Sequence, residues 1–177
     1  MTDPADLAAR VAALEARVAA LEGSGDKPAP ARWDDDAFWA LNRLETEHPQ
    51  GALLYAGHVH LPTGEHWGWK EMEDTGALLG ADWEGAAPML AALGHPLRLS
   101  LLRAVLGGQR TTAQLQADPA LAAGGKLYHH LRDLQAAGWL LLQGRGQYTV
   151  PAERVLPLLI ILRASGGVRP GGAEAEG

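Results

Sequence analysis

Residues 126–150 read KLYHHLRDLQAAGWLLLQGRGQYTV. Leu127, Leu131 and Leu134 recur at helical spacing, which predicts a helix from Lys126 to Ala137 with those leucines turned inward. Gly138 supplies the stop. After it, Trp139–Leu142 and Gln147–Val150 are strand-like runs parted by Gly144-Arg145-Gly146, so a hairpin is expected with Arg145 at its tip. The polar side of the helix carries Lys126, His129, His130, Arg132 and Asp133, with Tyr128 near its N-terminal end.

Upstream, Ala87–Leu93 reads as a short helix closed by Gly94. His95-Pro96 restarts the chain, with Pro96 in the first helical turn, where its missing N–H costs nothing. Leu97, Leu99, Leu101, Leu102, Val105 and Leu106 supply a buried stripe that Gly107-Gly108 ends. A brief helix, Thr112–Gln116, and a loop of Ala, Asp and Pro lead to the segment quoted above. Pro151 then opens a last apolar helix, Ala152 to about Ala164. Helix, connection, second helix and hairpin is the layout of a winged helix-turn-helix, an α+β arrangement.

The stretches ALGHPLRLSLLRAVL, TTAQLQ, KLYHHLRDLQAAGWL and GRGQYTV resemble the bacterial ArsR-type winged-helix transcriptional regulators over about residues 86–163. The resemblance implies a sequence-specific regulator of transcription that acts as a homodimer on duplex DNA, packed partly through the last helix at Leu158, Leu159 and Leu162. On that layout Lys126, Tyr128 and His129 are candidates for base edges, and Arg132 for a phosphate. Arg145 is placed to reach a phosphate or the minor groove, with Gln147 assisting, and Arg110 is a further phosphate candidate. Tyr128 and His130 have the core as their alternative place, and Arg145 the alternative of solubilising a turn. Gly124, Gly125 and Lys126 stand where such helices commonly have Ser, Thr or Gln, so the bases read stay open.

Charge follows the same division. The 177 residues carry a formal net charge of -6. Residues 1–84 hold 6 Lys+Arg and 16 Asp+Glu, whereas residues 85–165 hold 8 and 3. A basic segment attached to an acidic one fits a nucleic-acid-binding module joined to a module with another task.

The acidic part begins with a repeat: ARVAALE at Ala9–Glu15 and again at Ala16–Glu22. Leu7, Val11, Leu14, Val18 and Leu21 form the a/d seam of a coiled coil over residues 1–22. Arg10 and Arg17 at g and Glu15 and Glu22 at e favour parallel pairing. β-branched a positions point to two strands and the Arg-x-x-x-x-Glu spacing to three, so dimer and trimer both stand. So few heptads assist an oligomer rather than hold one alone. Residues 23–36 read as a Gly/Pro/Ser linker, residues 37–84 as a helix-plus-hairpin module, and 165–177 as a disordered tail.

In that module Asp35 or Asp36 caps a helix running to about Glu47, with Phe38, Leu41 and Leu44 on one face. Ala52–Leu61 and His66–Met72 flank the turn-forming Pro62-Thr63-Gly64-Glu65. With that four-residue loop His60 faces Trp67 and His58 faces Trp69, so His58, His60, Trp67 and Trp69 share a face, expected to pack together or to receive a small-molecule effector. His58-Val59-His60 is a two-imidazole metal hint without a third ligand on that expected face, and no cofactor is expected.

Cysteine is absent, which excludes disulfide scaffolds, thiolate zinc sites and cysteine nucleophiles. Pro151–Ala164 holds one Glu and neither His nor Asp, so the metal-sensing sites known from the resembled family have no counterpart there. Without a phosphate loop, a G-x-S-x-G elbow or an HExxH motif, no enzyme is expected. The longest apolar run, Val155–Leu162, is too short for a bilayer, and no basic-then-apolar leader opens the chain, so a cytoplasmic protein without membrane association is expected. The competing expectation is a self-assembling architectural protein that reuses the winged-helix fold for protein–protein contacts.

Overall fold

The computed structural model describes residues 10–17, 35–122, 126–144 and 146–168. Leu7, Val18, Leu21 and Arg145 lie outside the described residues, as do most of the linker and of the tail. The fold is α+β, with two small two-stranded antiparallel sheets among many helices. It divides into two compact units, Met1–Pro49 and Gln50–Gly177.

In the first unit, α1 (residues 10–17) is helical with Val11 and Leu14 exposed, so the described part of the a/d seam lies open. Helix α2 (Asp35–Glu47) matches the expected span and kinks at Phe38, whose φ of -120° is not helical. Arg43 and Glu47 pair along it at 2.8 Å.

The second unit runs β1 (Ala52–His60), β2 (His66–Asp74), α3 (Thr75–Gly80), α4 (Ala86–Leu93), α5 (Pro96–Leu106), α6 (Thr112–Ala117), α7 (Pro119–Ala122), α8 (Leu127–Ala136), β3 (Leu141–Gln143), β4 (Gln147–Thr149) and α9 (Ala152–Ala164). The hairpin therefore belongs with the later helices, not with α2 in a separate 37–84 module. The reason is packing: Val59, Leu61 and Trp67 lie against the same core as α5, α8 and α9. Among the described residues no single helix is long and apolar enough to cross a membrane. The apolar pair α4 and α5 is bent by 85°, and Leu101, Leu102 and Val105 of α5 are buried in the protein.

The hairpin register differs from the expected one by a single residue. Leu61 N–H donates to Glu65 O at 2.8 Å and Gly64 N–H to Leu61 O at 3.0 Å, leaving a three-residue loop, Pro62-Thr63-Gly64. Gly64 takes φ +86°, the left-handed position that ends such a loop. His60 consequently faces His66, Val59 faces Trp67, and Gly57 faces Trp69. A one-residue slip moves every side chain on one strand to the other face. Trp67 and Trp69 thus leave the histidine face, and His66 joins His58 and His60 there. The ring centroids of His58 and His60 are 4.4 Å apart, and those of His60 and His66 are 5.7 Å apart.

Gly57 marks where the hairpin meets α9. A Cβ at Gly57 would sit 2.3 Å from Leu156 Cδ1, and Leu156 is itself buried. Gly57→Ala is expected to lower the unfolding free energy by about 1–3 kcal/mol through overpacking. In urea denaturation the cost of Gly57→Ala should shrink in a Leu156→Ala background, because the double variant removes the clash. An equal cost in both backgrounds contradicts the packing described here.

Candidate nucleic-acid interface

Helix α5 is started by His95, whose Nδ1 accepts the Leu97 N–H at 3.1 Å, with Pro96 in the first turn. Leu101, Leu102 and Val105 then enter the core. Thr111 and Gln114 form a capping box at α6: Gln114 N–H donates to Thr111 Oγ1 at 3.2 Å, and Thr111 N–H donates to Gln114 Oε1 at 2.9 Å. The expected loop after α6 contains one more helical turn, α7, at whose start Asp118 Oδ1 accepts the Ala120 N–H at 2.9 Å.

Helix α8 follows with Leu127, His130, Leu131 and Leu134 buried. Its outward side carries Tyr128, which is 59% exposed, together with His129 and Arg132, and Lys126 stands exposed at its N-cap. The core alternative therefore holds for His130 and not for Tyr128. His129 Nε2 lies 3.5 Å from Asp133 Oδ2, and the same oxygen takes Arg98 at 3.0 Å, which ties α5 to α8.

Gly138 takes φ +71° at the end of α8 and turns the chain into Trp139. Trp139 is 1% exposed and its Nε1–H donates to Met89 O at 2.8 Å, which anchors the base of the second hairpin to α4. Arg154 of α9 covers the ring at 5.8 Å. The hairpin pairs Leu141 with Thr149, Leu142 with Tyr148 and Gln143 with Gln147. A bridge from Thr111 to Gln147, with Tyr148 N–H donating to Arg110 O at 2.7 Å, ties its second strand to the start of α6. Gln147 is exposed on that strand. Arg145, at the tip, is outside the described residues.

Two expected site residues are placed elsewhere. Arg110, a candidate for phosphate, pairs with Glu65 of the first hairpin and is three-quarters covered. That ion pair neutralises the guanidinium and holds the hairpin loop to the α5–α6 connection. Leu158, expected at a dimer contact, is 1% exposed inside its own protomer's core, because it is buried on α9 together with Val155, and both belong to the apolar cluster that includes Leu134 of α8. Leu162 also packs partly on that core, whereas Leu159 is exposed. Sequence reasoning missed the Arg98–Asp133 tie, and it held the burial of His130 open only as an alternative. The spacing of His130, three residues after Leu127 and four before Leu134, was the available signal.

Burial, followed by the positive neighbours His95, His129 and Arg98, pushes the His130 pKa below its ordinary 6.5, against the opposing pull of Asp133. Hydrogen bonds from Arg110 and then Thr63 hold the Glu65 carboxyl below its ordinary 4.5. For His130 the unfolded chain binds the proton more readily than the folded one, so stability is lost as pH falls below about 6.5. For Glu65 the stabilisation is present above the ordinary carboxylate pKa and is lost as pH falls through the lower folded value. Thermal denaturation from pH 8 to pH 3 is expected to show two descending steps, the upper flattened in His130→Gln and the lower in Glu65→Gln. Superimposable profiles for wild type and both variants contradict these assignments. In comparisons with known proteins the chain matches no family model, no curated protein and no solved structure.

Proposed function

We propose that residues 85–164 form a winged helix-turn-helix that binds duplex DNA, with α6 and α8 as the helix pair, α8 as the recognition helix and β3–β4 as the wing. The observation that carries this reading is the division of α8. Leu127, His130, Leu131 and Leu134 hold one side in the core, while Lys126, Tyr128, His129 and Arg132 present cationic, polar and aromatic groups outward. A helix fixed in this way offers the major groove a defined set of side chains.

The excess of 8 Lys+Arg over 3 Asp+Glu in residues 85–165 supports an electrostatic attraction for the phosphate backbone. With Arg110 engaged by Glu65, the backbone contacts fall to Lys126, Arg132 and Arg145. The protein acts as a homo-oligomer, so that two recognition helices meet successive major grooves and the operator is a pseudo-palindrome. Exposed Val11 and Leu14 on α1 and Leu159 on α9 are the surfaces offered to a second copy. A regulator of transcription, acting as a repressor, is the function this combination serves.

Fluorescence anisotropy with a labelled duplex, repeated over a salt series, tests the assignment. Lys126→Ala and Arg132→Ala are each expected to weaken binding and to reduce the slope of log affinity against log salt by about 0.9, one phosphate contact apiece. Arg110→Ala is expected to leave the slope unchanged. Slopes unaltered by Lys126→Ala and Arg132→Ala, or no duplex binding at low salt, would remove the DNA reading and favour protein-only self-assembly.

A further inference from the structure

A cavity of about 490 Å³ opens between the N-terminal ends of α5 and α8, and its lining includes His95, Leu97, Ser100, Ala120, Lys126 and His130. Among the described residues no carboxylate lines it. Because His95 Nδ1 accepts the Leu97 N–H, the neutral ring carries its proton on Nε2 and is a donor there. The start of α5 adds the positive end of a helix dipole. Lys126 is exposed and pairs with no carboxylate among the described residues.

His130 is an independent pointer to a ligand. It is 8% exposed, lines the cavity, and its buried Nδ1 has no hydrogen-bond partner. A buried polar atom left without a partner costs free energy, so such groups are nearly always satisfied by something. The His95 ring lies 4.5 Å away, centroid to centroid, and the adjacent Asp133 is already held by Arg98 at 3.0 Å. His95, Lys126 and the start of α5 thus bring donors and positive potential to one cavity, with no carboxylate among its described lining residues.

We infer that this cavity receives the oxyanion group, carboxylate or phosphate, of a small ligand, held by His95, His130, Ser100 and Lys126. Its position at the N-terminal end of α8 places that ligand against Lys126, so occupancy changes what the outward face of α8 presents. The inference does not rest on the DNA reading, since the cavity and its unsatisfied histidine exist whatever α8 docks on.

Ring-selective NMR of the seven histidines in the full chain provides the test, with titration by inorganic phosphate, by acetate, and by sodium chloride as the ionic-strength control. The expected result is saturable shifts of the His95 and His130 signals with phosphate or acetate, while those of His58, His60 and His66 stay in place. Lys126→Ala, an exposed change that leaves the core intact, is expected to weaken the apparent affinity by about fivefold or more. No saturable shift with either anion, or equal affinity in Lys126→Ala and wild type, overturns the inference. Shifts produced by duplex DNA but not by free phosphate or acetate also overturn it, because the cavity then holds a backbone phosphate rather than a small ligand.

Discussion

The burial of one side of α8 is the constraint on which the second unit depends. Leu131 and Leu134 share a core with Leu101, Leu102 and Val105 of α5, Leu115 of α6 and Trp139 beyond Gly138. Burying such side chains stabilises by roughly 1.5–3 kcal/mol each, far more than any exposed ion pair on this surface contributes. Rotation of α8 about its axis would surrender several of them together. The outward set, Lys126, Tyr128, His129 and Arg132, is therefore a consequence of the core rather than of contacts those residues make.

Polar ties then hold the neighbouring elements to that core. Arg98 joins α5 to Asp133 of α8, Arg110 joins the α5–α6 connection to Glu65 of the first hairpin, and Trp139 joins the second hairpin to α4. Each links segments far apart in sequence. Two of them engage a cation, Arg98 or Arg110, with a carboxylate, whereas Lys126 and Arg132 at α8 stay exposed. Of these ties, the one at Arg98 adds a cation near His130, whose other positive neighbours are His95 and His129.

Local patterns carried much of this architecture in the sequence. The i, i+4, i+7 leucines of α8, His95-Pro96 before α5 and the glycines at 107, 108 and 138 are short-range signals, and the elements they predict are present. The first hairpin was legible as two strands but not in register. Gly64 decides between a three- and a four-residue loop through its positive φ, and that choice sorts Trp67 and Trp69 from His58 and His60. Long-range pairing was not legible at all: nothing near Arg110 in sequence announces Glu65, so it read as a free cation. Leu158 was misplaced for a related reason, since an apolar helix does not reveal which of its sides faces its own core.

Selection of random duplexes by the full-length protein, read by sequencing, tests the central claim most directly. If α8 is a recognition helix presented in a two-fold oligomer, the enriched pool contains an inverted repeat with half-sites about 34 Å apart, one turn of the double helix. A pool that remains random after repeated rounds, at a salt concentration where the protein is folded, contradicts it.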